Sequence, residues 1–272
     1  MAPTGSRSAE FDGRVALVLG GSGGIGLASS ALLAQRGAQV MISGRQADVP
    51  AAMEQLASYG ESIVALPAAL DDENAVNDLV ASTVEQFGRL DILVGAAGIQ
   101  RYGTTTDTST DLWDEVFGIN VRGAFFGVRA ALPHLRASGA GSIVLVSSIQ
   151  AFITQTGVAA YTASKGALNA FTRSLAIDEA KYNVRANVVC PGSVDTPMLR
   201  TSARSFSDGT DAGEQATIDS WGRGHPLGRV ALPSEVAEAV CFLASTRSSF
   251  VTGVALPVDG GLLAQVSVVL PD

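Results

Sequence analysis

The sequence predicts a single α/β domain, in which a doubly wound parallel β-sheet of about seven strands carries helices on both faces. Three observations lead to this expectation. Short apolar runs alternate with longer helix-like segments along the whole chain, the pattern of strands joined by helical crossovers. The strand-like runs are apolar on consecutive positions, as strands covered on both faces must be. No Pro/Ser-rich linker or internal repeat divides the 272 residues, so one domain follows.

The elements follow in order. Residues 1–13, MAPTGSRSAEFDG, are polar and lack an apolar h-region, so they read as a flexible tail and not as a secretory leader. The domain spans residues 14–261. Its strands are VALVLG (15–20), QVMIS (39–43), SIVAL (62–66), LDILVG (90–95), GSIVLVSS (141–148), NVRANVVC (183–190) and GVALPVD (253–259). Helical patterns occupy 24–36, 72–87, 111–136, 160–181 and 233–244. Residues 198–226, MLRTSARSFSDGTDAGEQATIDSWGRGHP, are polar and glycine-dotted and read as a long loop serving as a substrate lid. The apolar extension LLAQVSVVLPD (262–272) is expected to pack on a neighbouring subunit.

Composition narrows the function classes. A net charge of -8 argues against nucleic acid, whose phosphates are bound by clustered positive charge. No run reaches the roughly 18 apolar residues of a spanning helix, so no membrane role is expected. Cys190 and Cys241 sit in apolar runs without metal-like spacing, and His134 and His225 stand apart. No metal site is expected, both histidines read as surface or structural, and the cytoplasm is the default location.

The first strand runs into GGSGGIG and then into helix-forming sequence. Gly20, Gly24 and Gly26 stand where backbone must turn sharply and approach a ligand, and the helix start there suits a pyrophosphate. The second strand ends in ISGR, where an acidic residue would favour the ribose hydroxyls of NAD. Gly44 and Arg45 stand there instead, so NADP(H) is favoured over NAD(H), with Arg45 toward the 2'-phosphate.

A second constellation lies downstream. The fifth strand ends in Ser147 and Ser148, and Tyr161 follows with Lys165 one helical turn beyond, on the same face. Lys165 is one of two lysines in a chain with 18 basic residues. A phenol working on an alcohol oxygen near neutral pH needs a pKa about three units below its usual value of about 10, worth roughly 4 kcal/mol, and a neighbouring ammonium supplies stabilisation of that sign. The compact ammonium can also reach ribose hydroxyls, which the planar guanidinium of arginine reaches differently.

With these pieces in order, together with LDILVGAAG, GINVRG, VSSIQA, NVVCPGSVDTPM and a terminal VDGG, the chain from Arg14 to about Gly261 resembles a single-domain short-chain dehydrogenase/reductase. The resemblance implies a Rossmann-like fold and hydride transfer between a nicotinamide cofactor and a ketone or secondary alcohol. Tyr161 would be the general acid/base and Ser148 would polarise the substrate oxygen. Lys165 would tune the tyrosine and grip the ribose, and Asn120 would keep a proton-relay water. Cofactor contacts would come from Gly20, Ser22, Gly24, Ile25, Gly26, Arg45, Leu70, Ala97, Gly98, Tyr161, Lys165, Pro191, Gly192, Val194 and Thr196. Val194 would meet the carboxamide through its backbone, and Thr196 the carboxamide or a phosphate. A homotetramer or homodimer built through the helices holding Asn120 and Tyr161 is also implied.

The chain departs from the family pattern at Leu19, at Gly95 and Ala96, and at Ala69, and each change weakens the expected grip on adenosine. Substrate-pocket candidates are Gln150, Gln155, Ser193 and Trp221, with Tyr102 beside them. They suit a small polar or cyclic carbonyl or alcohol. Two alternatives remain at this stage. One is reduction of a 3-oxoacyl group on an acyl carrier protein, for which Arg122, Arg129 and Arg136 recur every seven residues on one helix. The other is a cofactor-binding regulator without catalysis, against which the intact Asn120, Ser148, Tyr161 and Lys165 speak.

Overall fold

A computed structural model describes residues 9–266. Seven parallel strands form one sheet, β1 (Val15–Leu19), β2 (Gln39–Ile42), β3 (Ile63–Ala65), β4 (Ile92–Gly95), β5 (Ser142–Val146), β6 (Arg185–Pro191) and β7 (Ala255–Val258), in the order β3-β2-β1-β4-β5-β6-β7. All seven coincide with the apolar runs of the sequence. The order reverses between β1 and β4, which opens a crevice at their carboxyl ends.

Alternation along each strand sends side chains to two cores. Ala16, Val18, Val40, Ile42, Val94, Val144 and Val189 face α1 (Gly24–Gln35) and α9 (Pro233–Ala244). Leu17, Leu19, Met41, Leu93, Ile143, Leu145 and Val188 face α3 (Glu73–Phe87), α5 (Gly123–Ala137) and α6 (Ala159–Glu179). Both cysteines are free and buried. Among the described residues no helix is long and apolar enough to cross a membrane.

The helical elements depart from expectation in three places. The segment 198–226 is not a loop: it folds into α7 (Pro197–Ser205) and α8 (Asp211–Gly222). Thr196 and Thr210 cap these helices, accepting from Leu199 and Gly213, and Pro197 pre-sets the first turn. The helical stretch 111–136 is broken: α4 (Thr110–Phe117) and α5 are separated by a π-helical turn, Gly118–Arg122. A short helix, α2 (Val49–Gln55), follows β2 without having been expected.

The last residues of the expected tail are packed on the domain. Phe11 is fully buried, and Glu10 pairs with Arg36 at 3.2 Å and with Arg247 at 2.6 Å. The first residues of the C-terminal extension fold on their own chain. The Asp259 carboxylate accepts from Gly261 and Leu263, and Gln265 donates to the Gly224 carbonyl at 2.9 Å. Residues 1–8 and 267–272, most of the expected tail and of the subunit-packing extension, lie outside the described residues.

Candidate active site

The crevice is bounded first by the turn from β1 into α1. Gly20 has φ +75°, and a methyl group added there would lie 2.7 Å from the Ala97 backbone. One added at Gly26 would strike the Gly20 carbonyl. Gly23 caps α1 with no side-chain hydrogen bond, so the first-turn amides keep their donors for an anion. Ile25 packs on the core beneath. Residues of this kind fit a pyrophosphate through backbone alone.

The adenosine side is repacked with apolar atoms. Leu19 extends into space left by Gly127 on α5, and Leu145 approaches Gly95, where an added methyl would lie 2.7 Å from its Cδ2. The departures at Leu19 and Gly95 thus have partners that sequence reasoning missed, since each pair is far apart in the chain. Leu70 is half-buried beside Leu19, Ala97 and Asn120. Ser22 fills the space where a side chain at position 44 would stand, so an acid there would collide with it. Arg45 is 86% exposed and grips Asp48 through two hydrogen bonds, 2.7 and 3.1 Å. Its pKa is raised by that pairing.

Across β4 the polar groups of the site come together. Asn120 lies in the π-helical turn, a device recurrent at functional sites, and is 1% exposed. Its Oδ1 accepts from the Ile99 amide at 2.8 Å. Its Nδ2 donates to the Ile99 carbonyl and to Ser164 Oγ, both at 3.0 Å. The side chain therefore fixes the turn after β4, and Gly98 in that turn backs onto it: a methyl group added there would lie 3.3 Å from Lys165 Nζ and 3.4 Å from Asn120 Oδ1.

Ser148, Tyr161 and Lys165 are all buried at one mouth. Lys165 Nζ donates to the Val146 carbonyl at 3.0 Å and stands 5.4 Å from the Tyr161 ring centre. Ser147 anchors the same helix by donating to the Lys165 carbonyl at 2.9 Å. Ser148 Oγ accepts from the Gln150 amide at 3.1 Å. Burial pushes the Tyr161 phenol up to about 12 against the pull of a hydrogen bond with Ser148, and Tyr102 adds to the rise. Burial also pushes the Lys165 ammonium down to about 8. The tyrosine thus moves opposite to the sequence expectation, because desolvation of the phenolate outweighs what the neighbours provide.

β6 ends at Pro191, and Gly192, Ser193, Val194 and Thr196 follow. Val194 is buried and bridges in parallel to Ala231. The Thr196 methyl faces Gly24, so this turn abuts the start of α1. Arg200 on α7 pairs with Asp195 at 2.7 Å and with Glu214 on α8 at 3.2 Å. Arg204 joins Glu214 at 2.8 Å. Of the pocket candidates, Trp221 meets Phe206 edge-on at 6.4 Å, and Phe206 meets Tyr102 at 4.8 Å. Gln150 accepts from Thr162 at 3.5 Å, while Gln155 is merely exposed before α6. Phe206 and the arginine–glutamate latch went unread, since neither has a local signature.

A sheet that reverses at a glycine-lined crevice, with buried polar groups at its carboxyl edge, defines a dinucleotide-binding α/β protein. A family model described as Enoyl-(Acyl carrier protein) reductase matches residues 20–263. The cyclopentanol dehydrogenase of Comamonas is 39% identical over 259 residues, covering 93% of this chain and 98% of that protein. The versicolorin reductase of Emericella nidulans is 38% identical over 257 residues, covering 92% and 96%. The ligand-free aldohexose dehydrogenase of Thermoplasma acidophilum superposes with a TM-score of 0.88 at 32% identity, covering 97% of this chain and all of that one. The chain belongs to the short-chain dehydrogenase/reductase family. Membership implies oxidoreductase chemistry with a nicotinamide cofactor, NAD(H) or NADP(H).

Proposed function

We propose that the protein reduces a small ketone, or oxidises the matching secondary alcohol, with NADP(H) favoured over NAD(H). The observation that supports this most is the shared burial of Ser148, Tyr161 and Lys165, with Tyr102 adding to the rise of the Tyr161 pKa and meeting Phe206, which in turn meets Trp221. Ser148 orients the substrate oxygen, and Tyr161 gives its proton to that oxygen as it gains charge, or takes the proton in reverse. A phenol protonated through the neutral range is the form that reduction needs. Lys165 stabilises the phenolate left behind and passes on a proton, and Asn120 holds the turn after β4 in place beneath it. The nicotinamide, when bound, supplies or accepts the hydride, and the Val194 backbone and Thr196 hold its carboxamide end. The aromatic set Tyr102, Phe206 and Trp221 and the cyclopentanol dehydrogenase relative favour a cyclic substrate.

The NADP(H) preference rests on Gly44 and the exposed Arg45, with Asp48 competing for the guanidinium. Arg45→Ala is expected to raise the NADPH Michaelis constant about tenfold and leave that of NADH within twofold. Equal effects on both would overturn the preference. Turnover is measured over a panel of cyclic ketones, diketones and sugars with each cofactor. Binding of both cofactors without consumption of either would turn the reading toward a non-catalytic regulator.

Reduction of a carrier-bound 3-oxoacyl group draws little support. Arg129 is paired with Glu73, and Arg136 with Glu179 at 2.7 Å, so the arginine row is not a stripe of free cations. The proposed setting is the cytoplasm. The proposed assembly is a homotetramer or homodimer through α5 and α6, where Phe125 and Ile177 are exposed.

A further inference from the structure

His225 stands where the lid returns to the sheet, and it joins three segments. It follows α8 and is 4% exposed. Its Nδ1 lies 2.7 Å from the carbonyl oxygen of Asp259, just after β7, and its Nε2 lies 3.3 Å from the amide nitrogen of Ser193, just after β6. A carbonyl only accepts and an amide only donates, so these partners assign the proton to Nδ1 and leave Nε2 as an acceptor. The ring is seated closely: a methyl group added at Gly192 would lie 2.5 Å from its Cε1.

Backbone bonds hold the Ser193 turn on either side. The Ser193 carbonyl accepts from Ala231 at 2.9 Å, and the Asp195 amide donates to the Ala231 carbonyl at 2.9 Å. Upstream, the Gly192 amide donates to the Val258 carbonyl at 3.0 Å, so the Ser193 amide is the link between that last sheet bond and the two bonds to Ala231. The imidazole is the side chain that satisfies it. A histidine serving only the fold would need the Asp259 bond and the packing, not an acceptor aimed at this amide.

We infer that His225 is a positioning residue for the cofactor turn. As a neutral imidazole it fixes the Ser193 amide, and through it the backbone of residues 193–196, so that the end of the lid and the nicotinamide side of the crevice are set as one unit. The inference rests on the proposal that Val194 and Thr196 face the nicotinamide.

Two substitutions separate the halves of the clasp. In His225→Gln the side chain places an acceptor near the Nε2 position. In His225→Asn it reaches only the Nδ1 position and keeps the Asp259 partner. We expect His225→Asn to raise the NADPH and NADH Michaelis constants and lower kcat by about tenfold or more, and His225→Gln to stay within about threefold, with similar losses of melting temperature. Equal kinetics in the two variants would overturn the inference and leave a purely structural histidine.

Should either variant fail to fold, 15N spectra of the unaltered protein decide. Titration with NADPH should move the His225 Nε2 and Ser193 amide signals together, and unmoved signals overturn the inference. Thr196→Ala is the control for the underlying reading. If it leaves the binding of both cofactors unchanged, the turn does not face the nicotinamide, whatever the His225 variants do.

Discussion

The two flanks of the crevice are built by different means. On the β1–α1 side the shape is made by backbone: Gly20 turns with positive φ, Gly26 lets the helix meet the Gly20 carbonyl, and Gly23 leaves amides unpaired. On the β6 side the shape is made by side chains from distant segments, with Arg200 and Glu214 tying α7 to α8 and His225 closing the return. A backbone-built wall has no side-chain freedom to relax into. A side-chain wall yields by degrees.

The sharpest way to break that contrast is Gly26→Ala. The added carbon strikes the Gly20 carbonyl, and displacement of the phosphate turn by an ångström should weaken the binding of both cofactors by about a hundredfold, read by fluorescence titration. Binding within twofold of the parent would show that the close approach is dispensable.

Next in size is Lys165→Arg, on the side-chain flank. Charge survives but shape does not, and turnover is expected to fall at least about tenfold. The pH profile sharpens the test. In the parent, reduction should hold across neutral pH and fall as Lys165 loses its proton at about 8, while oxidation rises with pH because it needs the phenolate of a tyrosine at about 12. In Lys165→Arg the fall near 8 should vanish, since guanidinium stays charged. A parental rate and profile would mean that the ammonium has no special role.

The contrast also explains what could be read from the chain. All seven strands and the glycine turn were legible, because apolar runs and local spacing encode them. Ser148, Tyr161 and Lys165 were legible by their spacing around one strand and one helix. Helices α7 and α8 were not, because α7 has nine residues and its register is set by caps and by Arg200 and Arg204 reaching Glu214. The direction of the Tyr161 shift was not legible either. It depends on how deeply the ring is buried, which no local spacing encodes. Leu19 shows the limit from the other side: it looked like a loss, and its partner Gly127 lies 108 residues away.

The mildest change is Glu214→Gln, which keeps the volume but removes the charge shared by Arg200 and Arg204. Substrate Michaelis constants should rise about threefold and the melting temperature fall by about 2–4 °C, while cofactor binding stays the same. Loss of cofactor binding of the Gly26→Ala size would erase the distinction between the flanks.

The α7–α8 segment has one more consequence, from where its ends lie. It departs at Thr196 and returns at His225, which touches Ser193, so a stretch of nearly thirty residues begins and ends within one short turn. Such a stretch is an exchangeable cassette: its length and lining can be rewritten without changing the register of any strand. Variation in this segment and the integrity of the sheet are thereby placed in separate hands, and selection can alter one while the other stays still.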